Sequence, residues 1–545
     1  MLSNKWLFAS AIALGYGMAA SVQAQEAVSE PVAEAEAEAS AEDDDRRLDV
    51  LNYRIEGNTV LTRMDVEGAV LPYLGPQRKV SDVEAARLAL MKAYHAKGFE
   101  TVDVRIPEQD VRGGIIRFEV VELKVGRLRV NDSRYFSPED IKAQLPSLAE
   151  GGVPNYKNVA SEIAGANKSA DRLITPTLRA GDTPGTVDVD INVEDKLPVH
   201  GSFEINDRAS SRTKRARIAA GISYANLFQM GHSLNLQAQV TPEKPEESWV
   251  VSASYVAPIR DTPWTIVGYG VHSDSDVSAL GGINVLGSGD IFGLRGIYTK
   301  ITGEAETARV HQITAGIDYK SFKEDLVLGS DTGKTPIDYI PLTVQYTQSQ
   351  RTEDFDFDFS VGVNLGLRGL DATDNEFANK RYGAKANWVV LRSDVGYRYK
   401  FDNDWRAGAK VSMQYAGRPV ISNEQFSAGG LDSVRAFYES QDLGDDGISV
   451  QFQVDTPSFH KKAGTWLNEA RAFAFADDAA LRIYEPLAGQ HETTDLSSVG
   501  AGITLRALER LNASVLLAHP LTNRNSVIED IDNNLRVQAR IWSEF

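Results

Sequence analysis

The chain has 545 residues, a formal net charge of −19 and no cysteine. Without cysteine there is no disulfide framework, zinc–thiolate site or thiol nucleophile. The excess of acids argues against a nucleic-acid partner. Past the N-terminus no apolar run reaches the length of about 18 residues that a helical membrane span needs.

Residues 1–24 read as a secretory signal. Lys5 is its charged start, Trp6 to Ala20 its apolar stretch, and Val22-Gln23-Ala24 the small-residue cleavage pattern, so the mature chain is expected to begin near Gln25. An uncleaved membrane helix is the alternative, and the cleavage pattern speaks against it. Residues 25–47 are rich in alanine and acid. Glu26, Glu30, Glu34, Glu36, Glu38, Glu42, Asp43, Asp44 and Asp45 face only Arg46 and Arg47. Such a segment suits a solvated linker. A helix from Val32 onward, which could plug a pore, is the other reading, favoured by propensity and opposed by charge repulsion.

Residues 48–122 predict the order β-α-α-β-β. Tyr53–Thr59 is a short strand ending at Gly57-Asn58, and a helix over Thr62–Val70 stops at Pro72. Ser81-Asp-Val-Glu84 reads as a capping box opening a second helix, with Val83, Ala86, Leu90, Ala93 and Tyr94 on its apolar face and Gly98 at its end. Val102–Ile106 and Ile115–Val121 alternate as strands. Residues 123–197 repeat that order: a strand at Val125–Val130, an N-cap at Ser137 before Pro138, a second helix over Asn158–Asp171, and strands at Leu178–Ala180 and Val187–Val193.

The segments IEGNT, AKGF and GGIIRFEVVELKVGRLRV resemble polypeptide-transport-associated (POTRA) domains, and LRAGDTPGTVDVDINVED resembles the end of a second such domain. The resemblance implies periplasmic modules that bind client chains by adding a strand to an open sheet edge.

From about residue 198 the period is two. Leu234, Leu236, Ala238 and Val240 alternate with polar residues, as do Ile313, Ala315, Ile317 and Tyr319, and Leu342, Val344 and Tyr346. A soluble sandwich would alternate too, but strands this numerous with so wet a second face suit a water-filled lumen. At ~10 residues per strand plus turns, residues 198–545 allow about 16 antiparallel strands of a transmembrane β-barrel. The last segment, Leu535 to Phe545, alternates apolar and polar and stops on an aromatic. Phe545 is therefore expected to be a barrel-assembly signal.

Gly429 to Glu439 contains Val434-Arg435-Ala436-Phe437. This stretch resembles the Val-Arg-Gly-Phe/Tyr loop of the barrel-assembly and two-partner secretion superfamily. The resemblance implies an extracellular loop folded back into the lumen, its arginine paired with an aspartate on the inner wall. Phe475-Ala476-Asp477 matches that wall motif, and a guanidinium fork fits a carboxylate well. The family's usual glycine is Ala436 here; if the site needs a positive φ, alanine is strained. With Ser498–Ile503 (SVGAGI), Ile222–Leu236 (ISYANLFQMGHSLNL) and two POTRA units, the mature chain is similar to two-partner secretion transporters of the hemolysin secretion/activation type.

Other chemistry falls away. His491-Glu492 lacks the second histidine of a zincin, Asp442, Asp445 and Asp446 lack EF-hand spacing, and Gly287–Gly293 is one residue off a dinucleotide fingerprint. Neither an enzyme, a metal nor a cofactor is expected. The resemblance implies an outer-membrane transporter whose partner is a secreted exoprotein, β-helical and of adhesin or hemolysin type. Outer-membrane lipid, lipopolysaccharide and the barrel-assembly machinery are the other expected partners. An insertase for other barrel proteins is the alternative, but such relatives usually carry three or more POTRA units. The loop motif speaks against a passive porin.

Overall fold

The computed structural model describes residues 47–545 apart from 168, 247, 275–276, 281–282, 324, 329–330, 371, 461–465 and 528–534. The expected signal, and the acidic segment up to residue 46, lie outside the described residues. The chain forms two compact units that meet in sequence between Pro198 and Val199.

The first unit holds both repeats. In residues 48–122 the parallel pair Asn52–Glu56 and Ile115–Val121 is extended by Asp103–Arg105. Helices Arg63–Val70 and Val80–Ala96 cover that sheet, burying Val66, Val70, Val83, Ala86, Leu90 and Tyr94 against Ile116 and Phe118. The Tyr94 hydroxyl donates to Asn58 Oδ1 at 2.6 Å, and burial pushes its phenol well up. The second helix begins at Val80, ahead of the expected Ser81 box. Lys79 is the last residue of a strand paired with Arg47–Val50, and the Asp82 carboxylate accepts its backbone N–H at 3.0 Å. Tertiary strand pairing, rather than serine chemistry, sets that helix start.

Residues 124–195 have the same order: strand Lys124–Asn131, helices Pro138–Ala143 and Tyr156–Ala166, and strands Arg172–Ala180 and Thr186–Asp195. The helix expected to reach Asp171 ends at Ala166, because the Asn167 side chain bonds the backbone of Ile174 in both directions, at 2.7 and 3.0 Å. The two repeats join end to end. Asn155 caps the start of the helix Tyr156–Ala166 and donates to the Lys97 carbonyl at 2.9 Å; Tyr156 N–H donates to Gly98 O at 2.8 Å. The C-terminus of one helix thus supplies acceptors to the N-terminus of the other, which satisfies both sets of unpaired backbone groups.

The second unit is a closed antiparallel barrel of sixteen strands. In chain order they are β1 Val199–Asn206, β2 Arg217–Leu227, β3 His232–Val240, β4 Trp249–Pro258, β5 Trp264–Asp274, β6 Gly289–Thr302, β7 Arg309–Phe322, β8 Ile337–Tyr339 continued by Pro341–Arg351, β9 Phe355–Gly366, β10 Trp388–Lys400, β11 Arg406–Tyr415, β12 Asp446–Asp455, β13 Leu467–Arg482, β14 Thr493–Ala507, β15 Leu511–Arg524 and β16 Arg536–Glu544. Each strand pairs with the next, and β16 pairs with β1. Leu234, Leu236, Ile313, Ile317, Val344, Val515 and Val537 stand exposed on the outer face. A soluble surface would not carry so continuous an apolar belt, and a bilayer covers it. The end where β1 begins and β16 stops has tight connections such as 228–231, 352–354 and 508–510; the other end carries long ones, notably 367–387 and 416–445.

Candidate functional site: a loop clamped in the lumen

The connection 416–445 enters the lumen as a short ribbon, Phe426–Ala428 against Asp442–Gly444, with its tip at residues 429–441. The tip packs on the inner wall of β13–β15. Val434, Ala436 and Phe437 are buried with Phe473 and Phe475 of β13, Leu496 of β14 and Leu516 of β15. This apolar core inside a polar lumen decides where the tip rests. Room for it comes from SVGAGI: a side chain at Gly500 would meet the Phe475 ring at 2.4 Å, and one at Gly502 the Phe473 ring at 2.5 Å.

Arg435 stands on this core against Asp477 of β13. Its Nε donates to Asp477 Oδ2 at 2.8 Å, its Nη2 to Oδ1 at 2.6 Å, and its backbone N–H to Oδ2 at 2.9 Å. Nη1 donates to Gln453 Oε1 of β12 at 2.7 Å, and the guanidinium lies 3.7 Å from the Phe475 ring centre. Exposure of the two side chains is 3% and 0%. A fork-on-carboxylate pair whose third nitrogen also has an acceptor meets the conditions under which a buried ion pair holds one geometry. Ala436 has φ of +86°, so the alanine that replaces the family's glycine sits in the left-handed region.

The base of the connection is held by a second buried carboxylate. Asp445, whose side chain is fully buried, accepts both terminal nitrogens of Arg381, from the 367–387 connection, with the Val420 N–H at 3.0 Å and the Tyr484 N–H at 2.8 Å. Nearby, Glu424 accepts from Lys320 at 2.6 Å and Tyr339 at 2.7 Å. Around them Phe377 of the short helix Asp374–Lys380 packs with Tyr339, Trp388, Val420 and Ile421 in an apolar cluster at this end of the lumen. Asp442 accepts from Ser526 Oγ at 2.6 Å and Val527 N–H at 2.8 Å. These acids therefore serve protein donors.

The family follows from this unit of the chain. A model described as haemolysin secretion/activation protein ShlB/FhaC/HecB matches residues 185–505, and a ShlB-type POTRA model matches residues 48–122. The chain belongs to the haemolysin secretion/activation family. Among curated relatives, the outer membrane transporter CdiB of Dickeya dadantii (strain 3937) is 22% identical over 418 residues, 72% of this chain and 70% of the relative. The solved structure of CdiB from Escherichia coli has a TM-score of 0.62 at 17% identity, over 93% of this chain and 92% of that one. BamA from Haemophilus ducreyi, lacking POTRA domains 1–3, has a TM-score of 0.56 at 13% identity, over 92% of this chain and 100% of that one. At such identities the likeness is one of fold.

This family member is an outer-membrane transporter of two-partner secretion, with its POTRA region in the periplasm and a secreted exoprotein as its partner. The tight barrel turns therefore face the periplasm, and the connections 367–387 and 416–445 start from the cell surface. Phe545 follows β16 on the periplasmic side. It exchanges two backbone hydrogen bonds with Gly201 of β1, at 2.8 and 3.0 Å, and its ring covers the space a Gly201 side chain would take. Sequence reasoning singled out Arg435, Asp477, Phe475 and Phe545. It missed Gln453, Arg381 and Glu424, and weighed Asp445 only as a cation ligand; the partners of these residues lie 18 to 104 residues away and carry no local signature.

Proposed function

We propose that this transporter captures one unfolded exoprotein on its two periplasmic repeats, 48–122 and 123–197, and passes it through the barrel lumen once the loop at Val434–Phe437 leaves the Asp477 wall. In this reading 123–197 is a second POTRA domain, 1–24 a signal that is removed, and 198–545 the barrel. The observation that carries the reading is the clamp itself: Arg435 and Asp477 fix a chain segment inside a polar lumen, so moving that loop changes the room in the lumen. Capture is supported by the edge strand Arg172–Ala180, nine residues long and paired on one side only, with Leu173 and Leu178 each 43% exposed. Backbone pairing along such an edge tolerates any client sequence.

The periplasm offers no nucleotide fuel. Folding of the client outside the cell removes the unfolded species and gives the direction, as any reaction that consumes one state does. A β-helical adhesin or hemolysin is the client this mechanism suits, since its rungs fold in the order of their exit. No chemical step is assigned to the protein. Lipopolysaccharide surrounds the outer belt, and the barrel-assembly machinery reads Phe545 during insertion. The test is secretion of the transporter's exoprotein client. Removing residues 48–197 should leave the barrel in the outer membrane and the client in the periplasm; client on the cell surface of that strain would defeat the reading.

A further inference from the structure

The seam between β1 and β16 is where the barrel closes on itself, and its backbone pairing is short. Five residue pairs run from Asn206↔Arg540 to Ser202↔Glu544, against eight between β1 and β2 and eight between β16 and β15. Beyond Arg540 toward the cell surface β16 continues to Arg536, and there side chains replace the missing ladder. The Asp207 carboxylate accepts the Ala539 N–H at 3.1 Å. Arg208, next in the chain, turns into the lumen and donates to both Asp432 and Glu439 of the clamped loop, at 2.9 Å for its Nε to Glu439. Glu439 N–H donates to Ala209 O at 3.0 Å. On the β16 side the Arg536 guanidinium lies 4.1 Å from the Tyr438 ring centre. Residues 432–439 thus touch both lips of the seam at the level where the lips no longer pair with each other. The same segment carries Arg435, so one stretch of loop is tied to β13 and to the seam together.

We propose that the lumen loop is also the brace that keeps the β1–β16 seam closed, with Arg208 as the positioning residue that couples them. Clearing the lumen then unbraces the seam: a loop that leaves Asp477 carries Asp432 and Glu439 away from Arg208. The barrel wall is weakest in the same state in which the pore is open. Loop position and seam closure are one equilibrium, not two.

Amide hydrogen exchange of the full chain in lipid nanodiscs, with no client present, tests this apart from any reading of secretion. Exchange at 202–206 and 540–544 reports the population of the open seam. Loss of one half-buried charge cluster is expected to raise it roughly fivefold in Arg208→Gln, while β3–β6 stay unchanged. Arg208→Lys should lie between wild type and Arg208→Gln. The chain has no cysteine, so Ser202→Cys with Glu544→Cys, directly opposed across the seam, makes a single disulfide that should abolish the difference. If Arg208→Gln fails to insert, Glu439→Gln, which leaves Asp432 on Arg208, is read in the same way. Unchanged exchange at the seam in an inserted variant overturns the proposal, and so does an equal rise in every strand.

Discussion

Arg435 and Asp477 bind through two side-chain hydrogen bonds in a site closed to solvent, so their pairing has a definite energetic signature. Removing one partner strands the other in a dry pocket, which costs about 3–5 kcal/mol at a buried pair. The loop tip is then held to the wall by its packing on Phe473, Phe475, Leu496 and Leu516 without the ion pair that fixes its position. Arg435→Ala and Asp477→Ala are expected to cut secretion strongly while the protein still reaches the outer membrane, and the double variant should be no worse than either single. Defects that simply add in a secretion assay would mean that the two residues act apart. Ala436 balances two smaller terms. Its φ of +86° costs an alanine about 1–2 kcal/mol, and its methyl, buried in the Phe473–Phe475 core, returns about 1 kcal/mol. Ala436→Gly should therefore shift the thermal midpoint little in either direction. Ala436→Val adds a β-branch in the left-handed region and should lower it by several degrees.

At the scale of elements, the 416–445 connection is moored at its tip on β13, at its flank on Arg208, and toward its base through Glu424, Asp442 and Asp445. Asp445 joins it to the 367–387 connection. Asp445→Ala leaves Arg381 facing the Val420 carbonyl and a dry interior, and frees the helix Asp374–Lys380 from the lumen mouth. A fall in stability of about 2–4 kcal/mol, read as a lower unfolding temperature, with faster proteolysis between residues 367 and 387, is expected. Unchanged proteolysis there would show that the apolar cluster around Phe377 holds the helix alone. Phe545 moors a different element. It adds one reciprocal backbone pair to the five of the seam and seals that pair with its ring on Gly201. Its deletion should lower barrel insertion, seen as lost heat-modifiable mobility, while export to the periplasm stays intact. Gly201→Val, which evicts the ring without shortening the chain, should give part of that loss; a full wild-type level in both would remove Phe545 from barrel closure.

At the scale of the whole molecule, the repeats and the barrel divide the work by the kind of surface they offer. The repeats have open sheet edges, and the barrel closes on itself, with a short backbone ladder supplemented by side chains at the β1–β16 seam. Few anchors are visible on the edge Arg172–Ala180, so a full-length protein held in nanodiscs should bind the unfolded N-terminal region of its client at micromolar strength or weaker. Titration against a chain with residues 48–197 deleted checks where that affinity lies; equal binding by both would move capture to the barrel.

Much of this is legible in the sequence alone. Period-two alternation after residue 198 marks strands with one oily and one wet face, a property local to about ten residues, and the number of such strands with so wet a second face points to a barrel rather than a sandwich. The strand number followed from length, and the two repeats from capping chemistry and apolar spacing. Where local chemistry competed with pairing, pairing won: Val80 rather than Ser81 opens its helix because Lys79 is held in a strand against Arg47. Beyond Arg435 and Asp477, whose pairing the loop motif implied, tertiary structure alone decided which polar residues meet inside the lumen. Arg208 is separated from Glu439 by 231 positions and Arg381 from Asp445 by 64, and nothing in either neighbourhood marks them as partners. Barrel closure sets those meetings, since the strand register and the return of one loop through the lumen bring together side chains that share no local pattern. Alternation reveals only that a residue faces inward; the shape of the closed sheet determines what it faces.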